Sequence, residues 1–336
     1  ELCNGCGTCR QTDSDVMCPT YRASKEEIQT TRGRANMLRA GISGEISEEE
    51  LYSERFQEEV LDLCVGCKGC ASDCPTGVDM AKLKTEVKHA YHEREGVSPR
   101  ERLFANVETV SKVGSALAPV SNWAQQLPGA DWLGERLLGI APERDLPHFS
   151  RETLVDWFDD RGPQVSEAEA DHKVVLYPDT YTNYSYPEPG KAAVRVLEAA
   201  GVHVQVPDDL GPTGRPAFSQ GLLDVARDRA RTTVDALATR VGDGWDVVFV
   251  EPSDAVMFQD EYRDLLEGED AERVSANAHG VMEFLDLARV DENLAFEASS
   301  EELVYHGHCN QKATNKDHHA VGVLRRAGYA VDPLDS

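Results

Sequence analysis

The chain has 336 residues, enough for about two domains of roughly 150 residues each, and its 40% hydrophobic content is typical of a folded globular protein. Its 60 acidic and 34 basic residues give a formal net charge of −26, which disfavours nucleic-acid binding. The sequence contains no run of about 18 apolar residues and no secretion signal, so we expect a cytoplasmic protein without a transmembrane segment.

Arginine outnumbers lysine among the basic residues, with 24 Arg and ten Lys. A surface poor in Lys and rich in Asp and Glu suits concentrated salt, because salt screens the repulsion between carboxylates. We therefore interpret the composition as halophilic, with an ordinary acidic protein as the alternative.

Two cysteine runs contain eight of the nine cysteines of the chain. The first run is Cys3, Cys6, Cys9 and Cys18-Pro19, and the second is Cys64, Cys67, Cys70 and Cys74-Pro75. Such dense thiols indicate a reducing compartment, and cysteines two residues apart cannot join distant segments as disulfides. Zinc is the stronger alternative, but zinc sites are typically built from two separated cysteine pairs. Three cysteines at successive three-residue steps, followed by a more distant Cys-Pro, are typical of [4Fe-4S] ligation.

The spacing therefore predicts two [4Fe-4S] clusters. In this motif the fourth cysteine of each run serves the other cluster. The first cluster is assigned to Cys3, Cys6, Cys9 and Cys74, and the second to Cys64, Cys67, Cys70 and Cys18.

Helical signals separate and follow the two runs. Helix starts are predicted at three places, namely Ser24 with Glu27, Ser47 with Glu50, and Asp79. Gly41 is expected to end the first of these helices. Residues 1–95 are thus predicted to form an α-helical ferredoxin-like domain, without the short β-rich link of a compact bacterial ferredoxin.

The sequence pattern changes twice after residue 95. Residues 96–170 are predicted to form a helical connector punctuated by prolines. From residue 171 to 336, short apolar runs alternate with helical patterns, which predicts an α/β domain with parallel strands. Residues 193–204 and 320–331 share seven identities in twelve positions at an offset of 127, so two related halves are predicted.

Five short segments carry a resemblance to a known family. They are residues 3–10, 31–38, 214–221, 251–253 and 308–312. In these segments the chain resembles the iron-sulfur region of FAD-linked 2-hydroxy-acid dehydrogenases, including D-lactate dehydrogenases and the glycolate oxidase iron-sulfur subunit. The C subunit of anaerobic glycerol-3-phosphate dehydrogenase is a cousin.

The resemblance implies an α-helical ferredoxin domain followed by an α/β domain of two halves, each with a Cys-Cys-Gly element. It also implies that electrons pass from reduced FAD through two [4Fe-4S] clusters to an acceptor such as a quinone or an electron-transfer protein. FAD is expected on an upstream domain or a partner subunit, because both ends of the chain are expected to be cut from a longer polypeptide. A peripheral position at the inner face of the cell membrane is compatible with this arrangement.

Two departures from the family pattern concern the second domain. Pro212-Thr213 stands where relatives typically have Cys-Cys before Gly-Arg-Pro, and Asp254 stands where they often have Cys. The first half is therefore not expected to ligate iron in that way. The second half keeps Cys309, which is a candidate ligand of a further cluster, and the truncation is expected to remove its Cys-Cys-Gly element.

Two other patterns have simpler explanations. Histidines surround Cys309, namely His306, His308, His318 and His319. A polar loop and helix N-terminus is favoured there over a metal site. The aromatic segment 177–187 is interpreted as a packed loop, with a docking or quinone-contact surface as the alternative.

The sequence contains no nucleotide-binding, zinc-protease or hydrolase motif, and no catalytic residue is predicted. The chain is therefore interpreted as an electron relay within an oxidoreductase. One alternative is a heterodisulfide-reductase-like protein with chemistry at a cluster in the second domain, which Pro212-Thr213 disfavours. The other is a binding module with purely structural clusters, which the net charge disfavours.

Overall fold

Helices dominate the cysteine-rich part of the chain. The computed structural model describes residues 3–12, 17–297 and 301–334. Its first α-helices are α1 (Pro19–Ser24), α2 (Thr31–Ser43), α3 (Glu48–Leu51), α4 (Glu54–Phe56), α5 (Gly69–Asp73) and α6 (Met80–Glu95). Between them lie 3₁₀ turns at Thr8–Arg10 and Glu27–Gln29 and a π-helical turn at Gln57–Leu61. The predicted helical character of this region is confirmed.

Two of the predicted helix starts are confirmed by their caps. The hydroxyl of Ser47 accepts a hydrogen bond from the amide of Glu50 at 3.2 Å, at the start of α3. The carboxylate of Asp79 accepts one from the amide of Lys82 at 3.1 Å, at the start of α6. Both caps satisfy an amide that has no partner within its own helix.

The other predicted start is wrong. Ser24 ends α1, and α2 begins after Thr30, whose hydroxyl accepts from the amide of Gly33 at 2.8 Å. Gly41 lies inside α2 and not at its end. A Cβ atom on Gly41 would approach Leu51 Cδ1 to 2.8 Å, so the glycine allows close packing. The helix ends before Gly44, which adopts the left-handed conformation with φ 80°.

The next segment is also helical. It contains α7 (Pro99–Ala105), α8 (Val107–Ala116), α9 (Val120–Gln125), α10 (Ala130–Leu138) and α11 (Leu154–Arg161). Pro99 occupies the first turn of α7, where its missing N–H leaves no intrahelical hydrogen bond unmade.

A parallel four-stranded sheet follows. Its elements in chain order are β1 (Lys173–Leu176), α12 (Thr180–Tyr184), α13 (Pro187–Ala199), β2 (His203–Gln205), α14 (Arg215–Ser219), α15 (Leu223–Gly242), β3 (Asp246–Phe249), α16 (Pro252–Val256), α17 (Tyr262–Leu265), α18 (Glu269–Ala276), β4 (Ala278–Gly280) and α19 (Val281–Ala288). A π-helical turn at Met257–Glu261 and a 3₁₀ turn at Val290–Asn293 complete the region. The strand order is β2-β1-β3-β4, and Leu176 pairs with Val248 in the centre of the sheet. The predicted parallel sheet is confirmed.

The last described segment forms a second, two-stranded sheet. It consists of β5 (Glu302–Tyr305), α20 (Cys309–Ala313), α21 (Asp317–Arg326) and β6 (Ala330–Pro333). Leu303 pairs in parallel with Val331, just as Val174 of β1 pairs with Val204 of β2. Both copies of the sequence repeat therefore contain a helix and the strand after it, and each of these strands pairs with the strand before its helix. The two strand pairs belong to different sheets.

The chain forms two compact units. One comprises residues 1–96, 219–223 and 297–336, and the other comprises residues 97–218 and 224–296. The domain bounds 1–95, 96–170 and 171–336 stay predictions. The C-terminal segment belongs to the same unit as the cysteine-rich segment, because α20 packs against α5.

Within the described ranges, no helix is both long enough and apolar enough to cross a membrane.

Candidate metal centre

The two cysteine triplets have similar backbones. Gly5 and Gly66 occupy the same position in their triplets and have φ values of 79° and 65°. At the next equivalent position, Gly7 has φ 82° and Lys68 has φ 60°. Left-handed residues between the cysteines turn the chain sharply, and only glycine adopts that conformation without steric cost. Each triplet therefore wraps tightly around the space beside it.

Four cysteines from both runs line one cavity. Its lining includes Cys18, Cys64, Cys67 and Cys70. Arg34, Lys68 and Met80 also contribute to the lining. The structure thus brings Cys18 of the first run to the triplet of the second run.

Hydrogen bonds and burial define the environment of these sulfurs. The amide of Met80 donates to Cys70 Sγ at 3.3 Å, and the Thr20 hydroxyl lies 3.1 Å from Cys18 Sγ. Burial raises the pKa of Cys67 to about 11 and that of Cys70 to about 12. Free thiols here would keep their protons at neutral pH, whereas metal ligation requires thiolates.

The remaining cysteines of the two runs form a second group. Cys9 is buried, Cys3 and Cys74 are partly buried, and Cys6 is exposed. The amide of Arg32 donates to Cys9 Sγ at 3.4 Å. Burial acts to raise the pKa of Cys74, but hydrogen bonds from Thr76 and Val78 lower it overall. A negative charge on Cys6 acts to raise the pKa of Cys74.

Both groups contact the same hydrophobic core. Cys9, Cys18 and Cys70 are buried in it, and Cys3, Cys64 and Cys74 pack against it. Burial raises the pKa of Cys9, and a charge on Cys18 acts in the same direction. The two groups are therefore neighbours. In the described part of the chain, no three His, Cys, Asp or Glu side chains converge to hold a single metal ion.

Cys309 lies beside the second triplet. It is exposed at the start of α20, and a charge on it acts to raise the pKa of Cys67. The neighbouring His308 caps α20, because its Nδ1 accepts a hydrogen bond from the Asn310 amide at 3.2 Å. All nine cysteines consequently belong to the unit that contains α1 to α6.

The two family departures meet in the other unit. The Thr213 hydroxyl donates to Asp254 Oδ1, across 41 positions of sequence. Asp254 follows β3 and Asp179 follows β1, so both acids lie beyond the carboxyl ends of adjacent parallel strands. Burial raises the pKa of Asp179 to about 6 and that of Asp254 to about 8. The contact between Thr213 and Asp254 was not predicted from the sequence, although both residues were recognised as replacements of cysteine.

The aromatic segment 177–187 is more regular than predicted. Residues 180–184 form α12, whose first amides are capped by Asp179 Oδ1. Tyr177 is buried, whereas Tyr181 and Tyr186 are exposed. The alternative interpretation of segment 177–187, a docking or quinone-contact surface, stays a prediction.

Comparison with known proteins supports the assignment of the cysteine-rich segment. Residues 1–78 match a family described as a 4Fe-4S dicluster domain. This segment is a 4Fe-4S domain. The whole chain is 25% identical to the C subunit of anaerobic glycerol-3-phosphate dehydrogenase of Escherichia coli, covering 81% of that protein. It is 26% identical to the glycolate oxidase iron-sulfur subunit of the same organism over 98% of the chain and 76% of that protein.

Longer relatives contain this sequence as one part. D-2-hydroxyglutarate dehydrogenase of Haemophilus influenzae is 25% identical over 79% of the chain, which covers 29% of that protein. The chain thus spans about a third of the length of such relatives. No solved structure matches it. The predicted resemblance to the iron-sulfur components of these dehydrogenases and oxidases is confirmed.

Proposed function

We propose that the chain is the electron-transfer module of a flavin-dependent 2-hydroxy-acid dehydrogenase of the D-lactate or glycolate type. Reduced FAD, on an upstream domain or partner subunit, supplies the electrons. Two [4Fe-4S] clusters pass them singly to an acceptor such as a quinone or an electron-transfer protein. The observation that carries the proposal is the meeting of Cys18 with Cys64, Cys67 and Cys70 around one cavity.

The proposed ligands are those expected from the spacing. Cys18, Cys64, Cys67 and Cys70 hold one cluster, and Cys3, Cys6, Cys9 and Cys74 hold the other. The cavity between the first four sulfurs suits a cluster better than a zinc ion, because zinc requires its ligands to converge on one point. Soft thiolate donors suit iron-sulfur clusters.

The heterodisulfide-reductase-like alternative is weaker. Chemistry in the unit with the four-stranded sheet would require cysteine ligands there, and all nine cysteines belong to the other unit. Cys309 stays a candidate ligand of a further cluster. The repeat supports descent from a protein with two related halves.

Peripheral membrane association is a further part of the proposal. Trp123 and Trp132 are 62% and 61% exposed, and Leu117, Val120 and Leu137 are exposed in the same run of helices. Tryptophan and leucine on surface helices favour the membrane interface. The protein should co-sediment with phospholipid vesicles, and Trp123→Ser and Trp132→Ser should weaken this binding. Binding that neither variant weakens would contradict this part of the proposal.

Metal analysis of anaerobically reconstituted protein tests the proposal. About eight irons and eight sulfides per chain are expected, and tight zinc without sulfide would refute the cluster assignment. Cys18→Ser should damage the cluster of Cys64, Cys67 and Cys70, whereas the matched variant Cys74→Ser should damage the other. If Cys18→Ser instead damages the cluster of its sequence neighbours, the ligand sets are wrong. With a reduced flavoprotein as donor, Cys67→Ser should stop electron transfer.

A further inference from the structure

Arg34 is a buried cation beside the cavity that Cys18, Cys64, Cys67 and Cys70 line. Its side chain lies on α2 and is 1% exposed. Its Nε donates to the Val60 carbonyl at 2.8 Å, and Nη1 donates to the Gln29 carbonyl at 2.7 Å. Nη2 donates to Gln29 Oε1 at 2.9 Å, and both terminal nitrogens lie within 3.4 Å of the Thr20 hydroxyl. These neutral oxygens hold the guanidinium in one orientation.

The described contacts of Arg34 include no carboxylate. An arginine side chain remains protonated in proteins, and burying an unpaired charge is strongly unfavourable. Lys68 lines the same cavity but is paired with Asp79, with 3.7 Å between Nζ and Oδ2. Among the cysteines lining the cavity, Cys18 contacts Arg34, with 3.9 Å between its Sγ and Nη1.

The other cysteine group has a different neighbour. Arg32 lies beside Cys9, but its Nε is 2.7 Å from Glu27 Oε1, and its side chain is 22% exposed. An ion pair and solvent reduce its influence on nearby charge. The two groups therefore differ in the positive charge that faces them.

We propose that Arg34 makes the cluster held by Cys18, Cys64, Cys67 and Cys70 the easier of the two to reduce. This inference rests on the proposed function. Reduction adds one electron to a group that already carries negative charge, and no bond forms or breaks. A fixed positive charge in a poorly solvated site stabilises the added electron. Electrons then move from the other cluster toward the cluster beside Arg34.

The inference is tested by a redox titration of the reconstituted full chain with dithionite as reductant. Electron paramagnetic resonance monitors the reduction of each cluster. Arg34→Gln should lower the reduced-to-oxidised ratio of one cluster at least tenfold at a fixed potential, which is about 59 mV for a one-electron couple. Arg34→Lys retains the charge and should stay near the wild-type value. The matched control Arg32→Gln should change neither ratio by that factor. Cys18→Ser identifies which signal belongs to the cluster beside Arg34.

Iron and sulfide content separates the possible failures. Full cluster content with unchanged potentials in Arg34→Gln would overturn the inference, as would loss of the cluster in both Arg34→Gln and Arg34→Lys. Loss in Arg34→Gln alone would support the need for a positive charge. Wild-type protein that holds no iron-sulfur cluster would refute the proposed function itself.

Discussion

Asp254 should make the free energy of unfolding depend on pH. It is buried at the carboxyl end of β3 and accepts a hydrogen bond from Thr213. Burial, reinforced by the negative charge of Asp179, raises its pKa from 3.8 to about 8. Between these two values the folded protein retains a proton that the unfolded chain releases. The free energy of unfolding therefore falls as the pH rises from about 4 to about 8.

The size of the effect follows from the shift in pKa. Each unit of difference between the folded and unfolded states is worth about 1.36 kcal/mol. Even half of the shift of Asp254 corresponds to about 3 kcal/mol lost by pH 8. Asp254→Asn keeps an oxygen that accepts from Thr213 and carries no charge, so this loss should be absent from the variant.

Urea unfolding of reconstituted protein at about pH 5 and about pH 8, in the same salt, measures the difference. Part of the loss already occurs below pH 5, so the variant should gain at least about 1 kcal/mol over the wild type between the two conditions. Asp228→Asn is the matched control, because that carboxylate is exposed on α15. An equal offset between Asp254→Asn and the wild type at both pH values would refute the reasoning.

Three further outcomes are expected. Gly33→Ala should destabilise the cysteine-rich unit by at least about 1–3 kcal/mol in denaturant unfolding, since a Cβ atom would lie 2.1 Å from the Glu27 carbonyl oxygen. Gly134→Ala, where a Cβ atom meets nothing within 4 Å, should cost nothing, and equal losses in both variants would contradict this. The melting temperature should rise between about 0.1 M and about 1 M KCl, because salt screens the net charge of −26, and a flat curve would remove the halophilic interpretation. The chain alone should not oxidise D-lactate or glycolate with an artificial dye, and a substantial rate would point to a hidden active site.

Features with a local cause could be predicted from the sequence. The caps at Ser47 and Asp79 depend on contacts three residues away, and the parallel strands follow from short apolar runs between helical patterns. The error at Ser24 is also local. A serine followed three residues later by Glu27 fits a capping box, but Pro19 already begins a helix that ends at Ser24.

Contacts between distant residues could not be predicted in this way. Thr213 and Asp254 were each recognised as a replacement of cysteine, but nothing in the spacing indicates that the two side chains meet. Arg34 lies in a segment noted only for its family resemblance. Its burial depends on carbonyl oxygens from two other parts of the chain, those of Gln29 and Val60. A single sequence carries no signal for such packing.

The packing of α20 against α5 has a consequence for biosynthesis. During translation the cysteine-rich segment leaves the ribosome before α20, which lies more than 230 residues further along the chain. At roughly 5–20 residues per second, the nascent segment waits at least about ten seconds for that helix. Throughout this interval α5 lacks its contact with α20. Folding of the cysteine-rich segment before that contact forms therefore depends on its own hydrophobic core.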